Sequence, residues 1–234
     1  SMVPAFIGVK KVYHCAAFIS FNAKDYREMR KVNIHGTAII VNLSIDANVQ
    51  KICFVSSIAT IGNSLREVLL TEENEWNPEE DNSGYSITKF GAEMEVWRAS
   101  QEGVDVVIVN PGIILGAGFW ASGSGKIVTQ IFNGFKYYTE GVTGFVGVKD
   151  VAKTMVLLTN SSIKNERFIL VSENKSFKEV FFLIADLFHK KRPYKKVSPW
   201  QTSILWRISL LISTISGKTP LLSKYAAKSA NTVS

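Results

Sequence analysis

Only two cysteines, Cys15 and Cys53, and three histidines occur in the 234 residues. Two thiols cannot build the disulfide framework of a small secreted scaffold, and their scarcity fits a reducing compartment, so the expected location is cytoplasmic. Both lie in apolar, strand-like runs and are expected to be buried as small hydrophobes. His14, His35 and His189 share no metal-ligand spacing with the cysteines, so no metal site is expected; His14 and His35 read as packing groups. No apolar run reaches the roughly 20 residues that span a bilayer. The nearest, Ser203 to Ile215, is broken by Arg207 and several serines. It reads as an amphipathic helix packed on the protein or, alternatively, as one lying on a membrane surface. Internal repeats and low-complexity linkers are lacking as well.

What is there is an ordinary globular balance, 46% hydrophobic and 20% charged. That length and composition suit one good core with a small appendage. The net charge of +7 is partly local, concentrated in the run from His189 to Lys196. Broken by Pro193, this run reads as a solvated helix end and loop, and nucleic acid is not expected as a partner.

Hydrophobic periodicity gives alternating elements. Strands are expected at 11–17, 51–56, 104–110 and 167–171. A long helix is expected at about 23–47, with Asn22 as its cap, and further helices at 84–102, 126–134 and 150–158. Ser176 is placed to cap an amphipathic helix with Phe177, Val180, Phe181, Leu183, Ile184 and Leu187 on its apolar side. The acidic stretch from Leu70 to Asn82 is expected to be a loop too polar to pack internally. Strand–helix alternation predicts a Rossmann-like, doubly wound parallel sheet of the α/β class.

Three positions carry chemistry. Tyr85 and Lys89 are four residues apart and share a helix face. There the ammonium is expected to lower the phenol pKa, making Tyr85 a proton donor or acceptor. Ser56 and Ser57 fall where the 51–56 strand ends, the edge at which open α/β sheets bind ligands. Ser56 reads as a turn or cap residue.

Taken in order, Ala16-Ala17 after a strand, Asn33 with Gly36-Thr37, Ser56-Ser57, Tyr85 with Lys89, and Asn110-Pro111-Gly112 running on to Gly118 form one pattern. In order and spacing it resembles the extended short-chain dehydrogenase/reductase family over roughly residues 5–155. The Asn110–Gly118 segment and the later run Gly144 to Ala152 look most like the dihydroflavonol 4-reductase and 3β-hydroxysteroid dehydrogenase branch.

The resemblance implies a nicotinamide cofactor, NADP or NAD with a slight leaning to NADP. It implies that Tyr85 donates a proton to a substrate carbonyl, that Ser57 orients that carbonyl, and that Lys89 binds the cofactor ribose. Asn33 is similar to a proton-relay asparagine, or else is a buried asparagine satisfying backbone groups. Ala16, Ala17, Pro111, Gly112 and Ile113 would line the cofactor with Tyr85 and Lys89. Phe18, Phe119 and Trp120 would border a small apolar ketone or alcohol, or are plain core residues. A peripheral membrane contact and a homodimer stay open.

The family's opening Gly-rich turn, which holds the cofactor pyrophosphate, does not occur. Gly123-Ser124-Gly125-Lys126 reads as a substrate-side loop instead. The first three family strands are therefore expected to lie outside this sequence, with 11–17 left as a sheet edge. On this basis residues 1–118 form an incomplete dinucleotide-binding domain. Residues 119–234 form a mainly helical substrate region, with returning Rossmann elements near 144–172. Two other readings compete: a sugar-nucleotide epimerase or dehydratase, and a non-enzymatic dinucleotide-sensing module.

Overall fold

A computed structural model describes residues 2–62, 70–121, 123–216 and 224–232. Strands β1 (Lys11–His14), β2 (Lys51–Val55), β3 (Asp105–Pro111) and β7 (Glu166–Leu170) form one sheet in the order β1-β2-β3-β7, every pair parallel. β4 (Ile113–Leu115), β6 (Val142–Gly147) and β8 (Glu173–Ser176) form a second sheet, and β5 (Tyr137–Tyr138) pairs with β9 (Lys195–Lys196). The helices are α1 (Tyr26–Met29), α2 (Gly36–Asp46), α3 (Gly84–Gln101), α4 (Gly125–Phe132), α5 (Val148–Asn160), α6 (Phe177–Leu187), α7 (Pro199–Ser216) and α8 (Lys224–Ser229). The α/β class with a parallel Rossmann-like sheet is as expected. The short strands β4, β5, β8 and β9 are not legible as strands, because two to four residues are too few for a period to register.

The chain divides into two compact units, 1–112 with 148–170, and 113–147 with 171–234. In the first, the middles of β2 (Ile52–Val55) and β3 (Val106–Val109) are apolar because helices cover both faces of a parallel sheet. Alternation then sorts the side chains. Ile52, Phe54, Val106 and Ile108 pack with Val41 of α2 and with Ala92, Val96 and Ala99 of α3. Cys53 turns the other way, to a hydrogen bond with Thr159 of α5. At Gly91 the helix comes close to the π segment, and a Cβ there would sit 2.6 Å from Ile34 Cδ1 and displace that side-chain end. Lys51 is buried at the foot of β2, and its Nζ donates to the carbonyls of Ser161 (2.8 Å) and Ile163 (2.7 Å) just beyond α5. Those carbonyls would otherwise lack donors, and the cation suits a helix C-terminus.

The stretch expected as one long helix is helical throughout but changes pitch. Asn22 caps a 3-10 turn, accepting from Lys24 N at 3.2 Å, and a π segment (Arg30–His35) separates α1 from α2. Asn33 lies in that π segment.

Two further expectations are corrected. β1 ends at His14, paired with Phe54, so Cys15 lies past the strand and is exposed; only Cys53 is buried. The acidic loop is also not loose. Arg167 donates to the carbonyls of Glu72 and Asn74, and Glu72 Oε1 accepts from Ile169 N at 2.8 Å. Trp76 stacks on Phe90 with ring centres 4.6 Å apart. The loop's polar groups thus satisfy the outer edge of β7 rather than solvent alone.

The second unit is built on aromatics. Phe177 meets Phe145 and Phe181 edge to face, and Phe135 meets Phe181 and Tyr137 likewise. Ser176 caps α6 as expected, in a reciprocal capping box with Glu179. In α7 the polar side faces inward: Thr202 and Ser209 are buried, while Trp200, Ile204, Leu205, Ile208 and Leu210 are exposed. No described helix is long and apolar enough to cross a membrane.

Candidate functional site

At the carboxyl end of β2 the chain leaves the sheet through Ser56 and Ser57. Ser57 is extended, and its hydroxyl accepts from Ala59 N at 3.2 Å, capping the short turn Ile58–Thr60. The cap is therefore Ser57. Ser56, expected to have that role, instead turns inward and donates to Glu93 Oε2 at 2.6 Å.

Helix α3 starts at Ser83, whose hydroxyl accepts from Ser86 N at 3.0 Å. This start fixes the phase of the helix. Tyr85 is partly buried and hydrogen-bonds the Ser57 hydroxyl, and its ring lies 6.0 Å from that of Phe21. Burial raises the Tyr85 pKa, and the Ser57 hydrogen bond opposes that shift only in part. The sequence predicts the opposite direction. Lys89, one turn on, does not set the Tyr85 value; its Nζ donates to the Val55 carbonyl at 2.8 Å and sits 4.3 Å over the Phe54 ring. Lys89 is itself deeply buried. Loss of hydration lowers its pKa to about 8, against the pull of Glu93 and Cys15.

Asn33 is buried and fully engaged. Its Oδ1 accepts from Phe18 N (2.7 Å), and its Nδ2 donates to the Phe18 carbonyl (3.0 Å) and to Thr88 Oγ1 (3.0 Å). It pins the segment after β1 to α3, and Cys15, Ala16 and Ala17 are left exposed on that segment. His14 Nε2 pairs with Thr37 Oγ1 at 2.8 Å, and burial, then the Lys89 charge, drops its pKa to about 4. His14 is therefore neutral at pH 7.

Of the residues singled out in the sequence, Ala16, Ala17, Phe18, Asn33, Ser57, Tyr85, Lys89, Pro111 and Gly112 fall in the first unit. Within it, hydrogen bonds join Ser57 to Tyr85 and Asn33 to Phe18, and Gly112 N donates to the Leu170 carbonyl at 3.1 Å. Ile113, Phe119 and Trp120 belong to the second unit, where Phe119 is 89% exposed. The Gly123–Lys126 run leads into α4, and a Cβ on Gly125 would collide with the Phe119 carbonyl oxygen.

Sequence reasoning missed the group beneath the site. Glu93 is fully buried. Besides Ser56, its Oε2 lies 2.8 Å from Thr60 Oγ1 and 3.1 Å from Asn110 Nδ2; its Oε1 lies 3.5 Å from Arg167 Nη1. The signal was available in the spacing: Tyr85, Lys89 and Glu93 recur every four residues on one helix face. No group of three or more histidine, cysteine or acidic side chains among the described residues could hold a metal ion.

The family described as Male sterility protein, an NAD-binding family, matches residues 6–155. Sterol demethylase protein B of Methylococcus capsulatus is 28% identical over 203 residues, 85% of this chain and 61% of that protein. A putative dihydroflavonol 4-reductase of Synechocystis sp. is 27% identical, over 82% of this chain and 58% of its own length. Cinnamoyl-CoA reductase 2 of Medicago truncatula is 28% identical, over 77% and 56%. The chain thus spans about three-fifths of the length of these relatives. Among solved structures, that of gox2253 superposes with a TM-score of 0.81 at 24% identity, covering 99% of this chain and 71% of that one. The UDP-glucose 4-epimerase of Thermotoga maritima, solved with UDP-glucose, gives 0.70 at 21%, covering 80% and 64%. These two likenesses establish the fold.

Proposed function

The chain belongs to the NAD-binding family described as Male sterility protein, within the extended short-chain dehydrogenase/reductases, and on that premise we propose that the complete protein is a nicotinamide-dependent oxidoreductase interconverting a ketone and a secondary alcohol. The observation that carries this reading is the Ser57–Tyr85 hydroxyl pair, with Lys89 one turn along α3, at the carboxyl end of a central parallel strand. Relatives named as a dihydroflavonol 4-reductase and cinnamoyl-CoA reductases support a reductase over an epimerase. The first unit would be the dinucleotide domain and the second the substrate region.

The residues present fit the nicotinamide end of NADP or NAD. Ala16 and Ala17 are small and exposed, next to Cys15, whose thiol feels the Lys89 charge. The Lys89 ammonium has donors beyond the one on the Val55 carbonyl to offer ribose hydroxyls. When bound, the cofactor supplies hydride to the carbonyl carbon. Ser57 holds the carbonyl oxygen. Tyr85 passes its proton to that oxygen as the carbonyl π pair becomes a lone pair, leaving a tyrosinate that solvent reprotonates. The raised Tyr85 pKa keeps the phenol protonated beforehand, which suits a donor in the reducing direction. Phe18, held by Asn33 in the first unit, suits a small apolar substrate. Two free thiols suit a reducing, cytoplasmic setting. The exposed apolar side of α7 supports peripheral contact with a lipid surface.

The test is titration of the full-length protein with NADPH and with NADH, followed by tryptophan fluorescence, then a ketone screen on wild type and Tyr85→Phe. Saturable binding is expected, and a loss of turnover on the order of 10³-fold in the variant with binding unchanged. No binding of either nucleotide by folded protein, or near-wild-type turnover in Tyr85→Phe, overturns the reading.

A further inference from the structure

Glu93 has no exposed atom to hydrate it, so its charge must be met by donors inside the protein. Those donors are the Ser56 and Thr60 hydroxyls and the Asn110 amide, all gathered on Oε2, with Arg167 at Oε1. The same donors hold the backbone of the site. Thr60 Oγ1 lies 2.8 Å from the Ser57 carbonyl, and Asn110 Nδ2 lies 3.2 Å from it. The Asn110 amide also donates to Thr60 Oγ1 at 2.9 Å, so one hydroxyl proton and two amide protons are shared among Glu93, the Ser57 carbonyl and Thr60, which ties the three together. Asn110 Oδ1 is left without a partner, the one such buried side-chain atom among the described residues.

The carboxylate faces Arg167 at Oε1 and also acts on Lys89, one turn back along α3. Four groups act on Lys89 or stand a turn from it: Glu93 and Tyr85 on its own helix, His14 on β1, and Cys15 just after β1. His14 is neutral above about pH 4, and burial raises the Cys15 and Tyr85 pKa values, so these three are uncharged near neutrality. Glu93 is the group that holds the Lys89 value up most against burial, and Arg167 of β7 lies 3.5 Å from its Oε1.

We propose that Glu93 is the positioning residue of this site: through Ser56, Thr60 and Asn110 it fixes the Ser57 turn against α3, and it supplies the buried counter-charge for the Lys89 ammonium. Its catalytic consequence rests on the oxidoreductase reading above; its coupling to Lys89 does not.

The experiment is an NMR titration of Lys89 in the full-length protein with ¹³C-labelled lysine, assigned through Lys89→Arg, in wild type, Glu93→Gln and Arg167→Gln. The amide introduced by Glu93→Gln still accepts from Ser56 and Thr60 but carries no charge. The Lys89 titration is expected to fall by about one pH unit in Glu93→Gln. In Arg167→Gln, which frees the carboxylate from its cation, it is expected to rise. The basic limb of kcat/KM should move down with it in Glu93→Gln, a shift that loss of packing alone would not produce. An unmoved Lys89 titration in both folded variants overturns the proposal; if Glu93→Gln does not fold, the absence of an upward shift in Arg167→Gln does so. A Lys89 titration that moves in a wild type and variants without turnover would sustain the coupling and reject the oxidoreductase reading instead.

Discussion

Helices α3 and α7 have the same length, 18 residues, and both bury polar side chains, yet they do so for different reasons. On α3, Ser86, Thr88, Lys89 and Glu93 are buried beside Ala92, Val96 and Ala99. Each buried charge there is matched by groups on other elements: Lys89 by the Val55 carbonyl, Glu93 by Ser56, Asn110 and Arg167. On α7 the buried Thr202 hydroxyl donates to the Pro199 carbonyl of its own first turn and accepts from Asn231 Nδ2, beyond α8, at 2.8 Å, while large apolar side chains point outward. Buried charge held by distant partners specifies one tertiary arrangement. The neutral Asn231–Thr202 bond ties α7 to the segment after α8 but constrains it less than the buried charges constrain α3.

The sharpest way to break this comparison is to make the same change on both helices. Val96 is fully buried in the core between α3 and the sheet, whereas Ile208 on α7 is nearly half exposed. Val96→Ser should cost about 3 kcal/mol, from lost packing and a buried hydroxyl. Ile208→Ser should cost less than about 0.5 kcal/mol. Urea unfolding of the two variants decides it, and equal costs would show that α7 is as much a core element as α3.

That asymmetry was only half legible in the sequence. The parallel sheet was readable because β2 and β3 are continuous apolar runs, and Tyr85 with Lys89 because four-residue spacing implies one helix face. The direction of the Tyr85 pKa was not, since it depends on how deeply the phenol sits and on where Lys89 Nζ points, toward Val55 and Phe54. Glu93 was passed over because a glutamate on an 18-residue helix is ordinarily solvated; its burial is visible only once Ser56, Asn110 and Arg167 converge from three strands or their ends. The inward hydroxyls of α7 were hidden for a related reason: its sequence is apolar enough that either face could have been the buried one.

A second, smaller effect follows from which buried polar groups titrate. α7 presents hydroxyls, which do not, so acid sensitivity should belong to the α3 side, and His14 is its clearest member. Its pKa is about 4 in the folded protein against 6.5 unfolded. Below pH 6.5 the unfolded chain binds a proton that the folded one refuses, so stability is intact above that pH and falls as pH drops toward 4. Between pH 7 and 5.5 this group alone should remove about 1 kcal/mol. His14→Gln, which keeps a partner for Thr37, should flatten that limb, and an unaltered acid limb would mean His14 is protonated without penalty.

The smallest effect on stability is the one that asks what α7 faces. Trp200, Ile204, Leu205 and Ile208 recur at helical spacing on one exposed side, and the α7 residues up to Leu210 carry no acidic group and a single cation, Arg207. Such a stripe, with the basic run 189–196 just before it in the chain, suits an anionic bilayer surface. Trp200→Ser with Ile204→Ser should leave the unfolding midpoint of the full-length protein almost unchanged. The same pair should weaken its co-sedimentation with vesicles containing phosphatidylserine several-fold, and wild-type binding should fall as salt is raised, because the basic run is screened. Loss of stability without loss of vesicle binding would place that apolar side against protein, and the contrast between the two helices would reduce to one of degree.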